Sequence, residues 1–320
     1  MIRFLARRLV FALILVVASS SAALLLTRLA PGDVSAELGT DATREQIASI
    51  RARFDLDRSP AAQLVTWLGR AVRVDFGESF LYGRPVAPLV GRAALNTSVL
   101  AIVALTLATI AGLGLGLLTG TRRGALPAIV RGASLAVVSM PPLVTSLLLV
   151  FIAARTGWLP AGGMLSVDAV DPSWSAWAAD VAWHLPLPAL ALALPIAATF
   201  ERLQAQSVAD AVHRAFVLAA AARGVGPRDL ILRHAWPVSL QPITAVYGVA
   251  VGALLSGSFV VEFVTTWPGL GRLMYDALRA RDIYLVAGCA AAGAVFLAVG
   301  TLVGDLLHAV VDPRVREKAV

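Results

Sequence analysis

Long apolar stretches alternate with shorter polar ones along this chain of 320 residues. A helix needs roughly 20 apolar residues to cross a bilayer, and most of these stretches reach that length. Six of them are present, over about 9–29, 97–119, 131–154, 186–200, 238–261 and 283–311. The pattern therefore predicts an all-α, polytopic membrane protein with six transmembrane helices.

Small residues and prolines add detail to these spans. Gly112, Gly116 and Gly120 recur every four residues in the second span and so share one helical face. Such a face allows a neighbouring helix to approach closely. In the third span, Pro141 and Pro142 cannot continue the helical hydrogen bonds, which predicts a kink or a local break. A moving or pathway-lining point and a static kink both fit this break.

The chain divides into three predicted parts. Residues 1–94 hold the first span and a long extracytoplasmic segment, residues 95–312 a five-helix transmembrane core that includes the polar loop 207–237, and residues 313–320 a tail. Within the first part we expect helices over 42–53 and 61–74. The arginines before the first span are typical of a signal peptide, but the length of the apolar run favours an uncleaved span.

Composition and charge fix the class and the orientation. Hydrophobic residues make up 58% and charged residues 15% of the chain, against about a quarter charged in soluble domains. The net charge is +7, and short arginine-bearing loops are typical of the cytoplasmic side. The 156–183 loop has no lysine or arginine and is rich in tryptophan, which is typical of an outer loop. We expect a multi-pass plasma (inner) membrane protein with both termini in the cytoplasm.

One polar segment, residues 207–237, lies between the fourth and fifth spans. An alanine-rich helix over 207–223 is followed by Gly224 and Gly226, and Pro227 is suited to start a second helix. Pro237 is expected to end that short helix. A polar helix-turn-helix between membrane spans indicates a docking surface.

Several kinds of chemistry are missing from the sequence. No glycine-rich phosphate loop is present and Lys318 is the only lysine, so the chain itself is not expected to hold ATP. The four histidines are dispersed, and we expect no metal, no cofactor and no enzymatic activity. Cys289, the only cysteine, is expected to be a small packing residue. Asp305 is a functional candidate at membrane depth, although a helix–helix hydrogen bond or a position reaching water would also account for it.

The polar segment resembles the loop by which permeases of ATP-binding-cassette (ABC) importers contact their ATPases. The resemblance rests on 219–224 (Ala-Ala-Ala-Ala-Arg-Gly) and on His-Ala-Trp-Pro at 234–237, with Leu218 where the family has an acid. Further matches are Arg-Leu-Ala-Pro-Gly-Asp at 28–33, Asp-Phe-Gly at 75–77, Tyr-Gly-Arg-Pro-Val at 82–86, Gly-Trp-Leu-Pro at 157–160, Trp-Pro-Gly-Leu-Gly-Arg at 267–272 and Asp-Pro-Arg at 312–314. Together they are similar to the B-type permease of dipeptide, oligopeptide and nickel importers.

The resemblance implies a permease subunit that forms half of a peptide pathway. Its implied partners are a paralogous second permease, two cytoplasmic ATP-binding-cassette ATPases that hydrolyse the ATP, an extracytoplasmic solute-binding protein and membrane lipid, with no nucleic acid. The helix 227–236 would enter a groove on the ATPase. The ATPase-coupling residues would be Ala219, Ala220, Gly224, Arg228, Asp229, Leu230, Ile231, Arg233, His234, Trp236 and Pro237. Leu230, Ile231 and Trp236 would be its apolar anchors.

Two further groups of candidates accompany the coupling residues. The outer loop 262–282 is expected to contact the binding protein, through Glu262, Trp267, Pro268, Gly269 and Gly271. Pro141, Pro142 and Asp305 are the pathway or gating candidates. Two alternatives remain open: a nickel or metal-chelate permease of the same family, and a gradient-driven secondary transporter, which would need no ATPase.

Overall fold

The structure, a computed structural model, describes residues 2–30, 44–166 and 173–311. These residues form fourteen α-helices and no strand. The helices are α1 (Ile2–Leu29), α2 (Arg44–Arg53), α3 (Pro60–Ala71), α4 (Val86–Thr121), α5 (Ala125–Val138), α6 (Pro142–Thr156), α7 (Trp174–His184), α8 (Pro186–Ala211), α9 (Ala215–Ala222), α10 (Pro227–Asp229), α11 (Trp236–Ser239), α12 (Gln241–Val264), α13 (Leu270–Arg279) and α14 (Ile283–Val311). The all-α fold class is confirmed. Residues 31–33 of the expected motif at 28–33, the motif at 312–314 and the tail lie outside the described residues.

Among the described residues, five helices are long and apolar enough to cross a membrane: α1, α4, α8, α12 and α14. A sixth span exists if α5 and α6 are counted as one, although the chain bends by 113° between them. The expectation of a single third span over 131–154 was therefore only partly correct. Its break falls at Pro141 and Pro142, as predicted, because neither proline can donate a backbone hydrogen bond.

The chain divides into two compact units. The first comprises Met1–Leu5, Val99–Trp267 and Val299–Val320, and the second comprises Ala6–Ser98 and Pro268–Ala298. Residues 268–298 thus group with the N-terminal part of the chain. The sequence order of the spans does not show such a grouping.

In the first unit, α8 packs against α5, α6 and α12 and buries residues along most of its length. The predicted glycine face of α4 also packs on α8. A Cβ added to Gly112 would lie 2.8 Å from the carbonyl oxygen of Ala197, and one on Gly116 would lie 2.7 Å from that of Glu201. Because a backbone carbonyl cannot move aside, only glycine permits this approach. The prediction from spacing is confirmed.

A second close approach in the same unit joins α12 to α14. A Cβ on Gly304 would lie 2.8 Å from the backbone nitrogen of Gly248. About one helical turn away on each helix, the hydroxyl of Thr244 lies 3.0 Å from Nδ1 of His308. Small residues therefore bring these two spans into backbone contact.

The second unit has its own core, with Leu24, Trp67, Val86 and Leu285 among its buried side chains. Asp282 lies at the start of α14, is 1% exposed, and accepts hydrogen bonds from Ser79 Oγ (2.6 Å) and from the backbone N–H of Leu81 (3.1 Å) and Leu285 (3.1 Å). Burial raises the pKa of the Asp282 carboxyl, while these donors oppose the rise. Cys289 is buried in this core, so its expected packing role is confirmed.

Candidate functional site

The candidate site is the stretch between α8 and α12, residues 212–240, which we call the inter-span segment. The single alanine-rich helix expected over 207–223 is wrong. Helix α8 ends at Ala211, and α9 begins at Ala215 after a turn in which Arg214 has an extended backbone (φ −71°, ψ 144°). The segment thus contains α9, a glycine turn and a second helical stretch that begins at Pro227.

The turn after α9 is closed by a Schellman motif. The N–H of Gly224 donates to the carbonyl of Ala221 (2.9 Å), and the N–H of Val225 donates to that of Ala220 (3.3 Å). Gly224 has φ +84°, a left-handed conformation that costs other residues free energy. The predicted glycine break is confirmed, and its geometry fixes the direction of the next helix.

The second helical stretch is wider than an ordinary α-helix. Residues Leu230–Ala235 form a π-helical turn, and the N–H of Trp236 donates to the carbonyl five residues earlier, that of Ile231. Pro237 follows without ending the helix, which continues as α11 to Ser239. The expected stop at Pro237 is therefore wrong. A proline ring normally clashes with the carbonyl four residues before it, and the wider turn makes room for that ring.

A buried hydrogen bond ties the end of the inter-span segment to α8. Gln204 Nε2 donates to Ser239 Oγ at 2.7 Å, and that hydroxyl donates to the carbonyl of Trp236 at 2.8 Å. Gln204 and Ser239 are 0% and 2% exposed. A displacement of this end of the segment must therefore move α8 or break a buried hydrogen bond.

The predicted coupling residues fall into three groups by exposure. Those exposed are Ala219, Gly224, Arg228, Asp229, Arg233 and Pro237, those half-buried are Leu230, Ile231, His234 and Trp236, and Ala220 is buried. Arg233 and Asp229 form an exposed ion pair (Nε–Oδ1 3.3 Å), which contributes little to stability. The expected apolar anchors are thus partly covered by this chain itself.

Sequence reasoning did not count three exposed apolar side chains among the coupling residues, although it noted that Leu218 replaces an acid. Phe216, Leu218 and Leu232 are 43%, 55% and 53% exposed. The π-helical turn changes which side chains face outwards, so a regular helical count over 227–236 does not single out Leu232. Gln204 was also missed, because a lone glutamine near the end of a span carries no distinctive pattern.

The outer-loop candidates differ in exposure. In the first unit, Glu262 and Trp267 are both 0% exposed, and the N–H of Trp267 donates to the carbonyl of Glu262 at 3.0 Å. In the second unit, the carbonyl of Pro268 accepts from the Asn96 amide at 2.8 Å. Pro268 is exposed, Gly269 is buried and Gly271 is half-buried. Glu262 and Trp267 therefore support the loop from inside, and Pro268 is the member of the set that reaches the surface.

The loop before α7 is joined to that helix by a carboxylate. Asp180 accepts from the backbone N–H of Ser166 at 2.6 Å and from its hydroxyl at 2.7 Å. These hydrogen bonds lower the pKa of Asp180 because they favour its charged form. On the same helix Trp174 is 77% exposed and stacks on Trp177 with ring centroids 4.9 Å apart. An exposed tryptophan stacked on a half-buried one is typical of the predicted outer interface.

The remaining candidates do not join the inter-span segment. Pro141 and Pro142 are exposed at the α5–α6 break, and Asp305 is half-buried on α14. In the part of the chain that the structure describes, no three His, Cys, Asp or Glu side chains are placed to hold a metal ion.

Two family models match the chain. Residues 112–317 match the model described as "Binding-protein-dependent transport system inner membrane component". Residues 1–113 match its N-terminal companion, "Binding-prot-dependent transport system membrane comp, N-term". The two matches together extend over almost the whole sequence, including the inter-span segment.

Curated relatives match over nearly their full length. The chain is similar to the oligopeptide transport system permease protein OppB of Mycobacterium tuberculosis, with 32% identity covering 99% of both chains. It is also similar to the oligopeptide transport system permease protein AppB of Bacillus subtilis, with 28% identity covering 98% of this chain and 99% of the relative. The glutathione transport system permease protein GsiC of Escherichia coli is 28% identical over 92% of each chain.

Proposed function

Because this chain belongs to the family of inner-membrane components of binding-protein-dependent transport systems, we propose that it forms half of a peptide pathway and couples it to a separate ATPase. The other half is a paralogous permease. Two cytoplasmic ATP-binding-cassette subunits hydrolyse ATP, and an extracytoplasmic binding protein delivers the substrate. The relatives named for oligopeptide and glutathione transport support the peptide class.

The single observation that supports coupling is the mechanical restraint of the inter-span segment. In its middle, the Schellman motif at Gly224 fixes the angle between α9 and the next helix. At its end, Ser239 is hydrogen-bonded to Gln204 inside the protein. A displacement of the exposed face between Gly224 and Ser239 would therefore displace α8, which is the most buried of the spans.

The exposed face of 227–237 is the proposed docking surface. It presents Arg228, Asp229 and Arg233 around Leu232, an arrangement suited to a groove with an apolar floor and a charged rim. Exposed charges at a rim contribute to specificity and association rate more than to affinity. Leu232 is then the principal apolar contact, because Leu230, Ile231 and Trp236 are half-buried.

Two matched substitutions test this surface. Leu232→Glu puts a charge at the proposed centre of the contact, and Leu218→Glu puts the same charge at a similarly exposed leucine where the family pattern has an acid. We expect Leu232→Glu to abolish retention of the ATPase subunits on the purified permease pair and peptide-stimulated ATP hydrolysis. Leu218→Glu should retain both. Normal uptake with Leu232→Glu would contradict ATPase docking at this face and would favour a gradient-driven carrier.

The substrate class needs its own measurement. The complete importer with its binding protein, reconstituted in vesicles, is offered a labelled oligopeptide, glutathione or a nickel chelate. We expect ATP-dependent uptake of the first or second substrate. Uptake of nickel alone would instead support the metal-chelate alternative within the same family.

We propose that both termini and the inter-span segment face the cytoplasm. The supporting observation is that Arg122 and Arg123 fill the short α4–α5 loop and that further arginines lie on the inter-span segment. Replacing Cys289 with alanine allows single cysteines to be placed at Arg228 and Trp174, which are both exposed. In intact cells a membrane-impermeant maleimide should label position 174 and leave position 228 unlabelled. The reverse pattern would overturn the orientation.

The α5–α6 break is proposed as a gating point. The helix axis bends by 113° across three residues, and Pro141 and Pro142 remove backbone hydrogen bonds there. Replacing both prolines with alanine restores these donors. We expect slower transport with normal ATPase binding, measured by uptake and by co-purification. Unchanged uptake would favour a static kink.

A further inference from the structure

A cavity of about 690 Å³ lies within the first unit beside the inter-span segment. Its walls come from the end of α4, the loop that follows, α5 and the second half of α8. Four arginines line it: Arg122 and Arg123 from the loop, Arg131 from α5 and Arg202 from α8. Ile231, from the π-helical turn, lines the same cavity. Three separate elements thus bring their cationic side chains to one space.

The positive charge of this cavity is poorly balanced by the protein. Glu201 is its one acidic lining residue, so the four guanidinium groups exceed the carboxylates by three. Glu201 is 0% exposed and accepts a hydrogen bond from the hydroxyl of Thr119 on α4. The ion pairs found among residues 2–30, 44–166 and 173–311 include none of the four arginines. Like charges gathered in one cleft attract a counter-ion of the opposite sign.

The hydrogen-bond donors of the four arginine side chains determine which kind of anion would bind. Guanidinium groups present planar pairs of N–H donors that match phosphate oxygens, and a cavity of this size admits more than a single small ion. Thr121 and Gln206 line the same space and add neutral hydrogen-bonding groups. We propose that this cavity binds a phosphate group, carried either by an anionic phospholipid or by a soluble phosphate compound.

The preference of arginine for cytoplasmic loops does not by itself account for the arrangement. That preference is satisfied by any cationic residue in water at the inner face. It does not require residues from a loop and two helices to line one cavity with a buried carboxylate at its wall. Basic pockets between spans on the cytoplasmic side are known binding places for lipid head groups. The lipid source rests on the orientation proposed above, whereas the phosphate chemistry does not.

Occupancy of this cavity would also affect the inter-span segment. A bound phosphate would draw the arginines of α5 and α8 together and restrict the space into which Ile231 points. The site would therefore connect the phosphate or lipid environment to the element proposed to contact the ATPase. Binding at this cavity would therefore regulate ATPase coupling, and it assigns no residue to the peptide pathway.

The test uses the complete importer in nanodiscs of phosphatidylcholine, with or without phosphatidylglycerol, and follows its thermal unfolding. A second arm titrates inorganic phosphate into the phosphatidylcholine nanodiscs, against sodium chloride at equal ionic strength. Arg131→Gln and Arg202→Gln remove cavity charges, while Arg155→Gln removes an exposed arginine of α6 that does not line the cavity. Arg131→Lys keeps the positive charge but lacks the planar pair of N–H donors. It serves as a second test if the glutamine variants do not fold.

We expect phosphatidylglycerol or phosphate to raise the unfolding midpoint of the wild type and of Arg155→Gln. Arg131→Gln and Arg202→Gln should lose at least half of that rise, and Arg131→Lys should lose part of it. A response to phosphatidylglycerol alone identifies lipid as the source, and a response to inorganic phosphate identifies a soluble one. An equal rise in all variants, or none in the wild type, would overturn the proposal. Peptide uptake by the same samples is scored separately, so failure of the transport assignment is distinguishable.

Discussion

Gly224 offers the sharpest test of how the inter-span segment is held in place. Its φ of +84° lies in the left-handed region, which costs an L-residue about 1–2 kcal/mol. A Cβ at this position would meet nothing within 4 Å, so Gly224→Ala adds no steric clash to that backbone cost. A loss of about 1–2 kcal/mol would raise the population of the opened turn roughly 5–30-fold.

Gly226 provides a matched control two residues away. Its φ of −66° and ψ of 154° suit any residue that precedes proline, and a Cβ there also meets nothing within 4 Å. Gly226→Ala should therefore be neutral or stabilise the segment by about 0.4–1 kcal/mol, since alanine restricts the unfolded chain. The pair isolates the conformational cost from the change in side-chain volume.

Amide hydrogen exchange on the purified importer measures the opening directly. Peptides covering 215–239 should exchange faster in Gly224→Ala and unchanged or more slowly in Gly226→Ala. The N–H groups of Gly224 and Val225, which close the Schellman motif, should show the largest change. Gly224→Asn should lie between the wild type and alanine, because asparagine tolerates the left-handed region better. Equal exchange in both alanine variants would refute the reasoning.

Three further outcomes are expected. Gly116→Ala should destabilise the importer by about 1–3 kcal/mol in thermal unfolding, because its Cβ would lie 2.6 Å from that of Gln204, whereas Gly114→Ala, with nothing within 4 Å, should not. Ser239→Ala should cost about 1–3 kcal/mol and raise the ATP hydrolysed per peptide transported, because the Gln204 amide is left buried and unpaired; an unchanged ratio would contradict its role as a link. The Asp282 carboxyl has a raised pKa, so the unfolded chain ionises first, near its ordinary value of about 3.9, and stability falls as pH rises from there through the folded pKa. Asp282→Asn should remove that step from unfolding midpoints measured between pH 3 and 8, and a step of wild-type size in the variant would refute this account.

The spans were predictable because each depends on a local property. Apolar length alone placed the sixth span over 283–311, and the structure has α14 at those same residues. The glycine face at 112, 116 and 120 was equally readable, since four-residue spacing defines one side of a helix. The helix that packs on this face could not be predicted, because no periodicity in α4 indicates that α8 is its neighbour.

The inter-span segment shows where local rules stop. The break at Gly224 was correct because glycine in a left-handed turn is a property of one residue. The stop at Pro237 was wrong because the clash of a proline ring depends on the winding of the preceding turn, and that turn is π-helical. The burial of Trp267 likewise depends on neighbours distant in sequence, such as Leu100 and Leu192.

The sequence by itself determined the membrane class, the approximate spans, the broken third span and the family resemblance, because apolar length, proline, glycine and motif spacing act over a few residues. Only the tertiary structure decided that α8 holds the inter-span segment through Gln204 and Ser239, and that four arginines share one cavity. Both results require helices that are far apart in sequence to be placed side by side. That placement follows from the packing of whole helix faces against one another. It therefore cannot be predicted from any single stretch of the sequence.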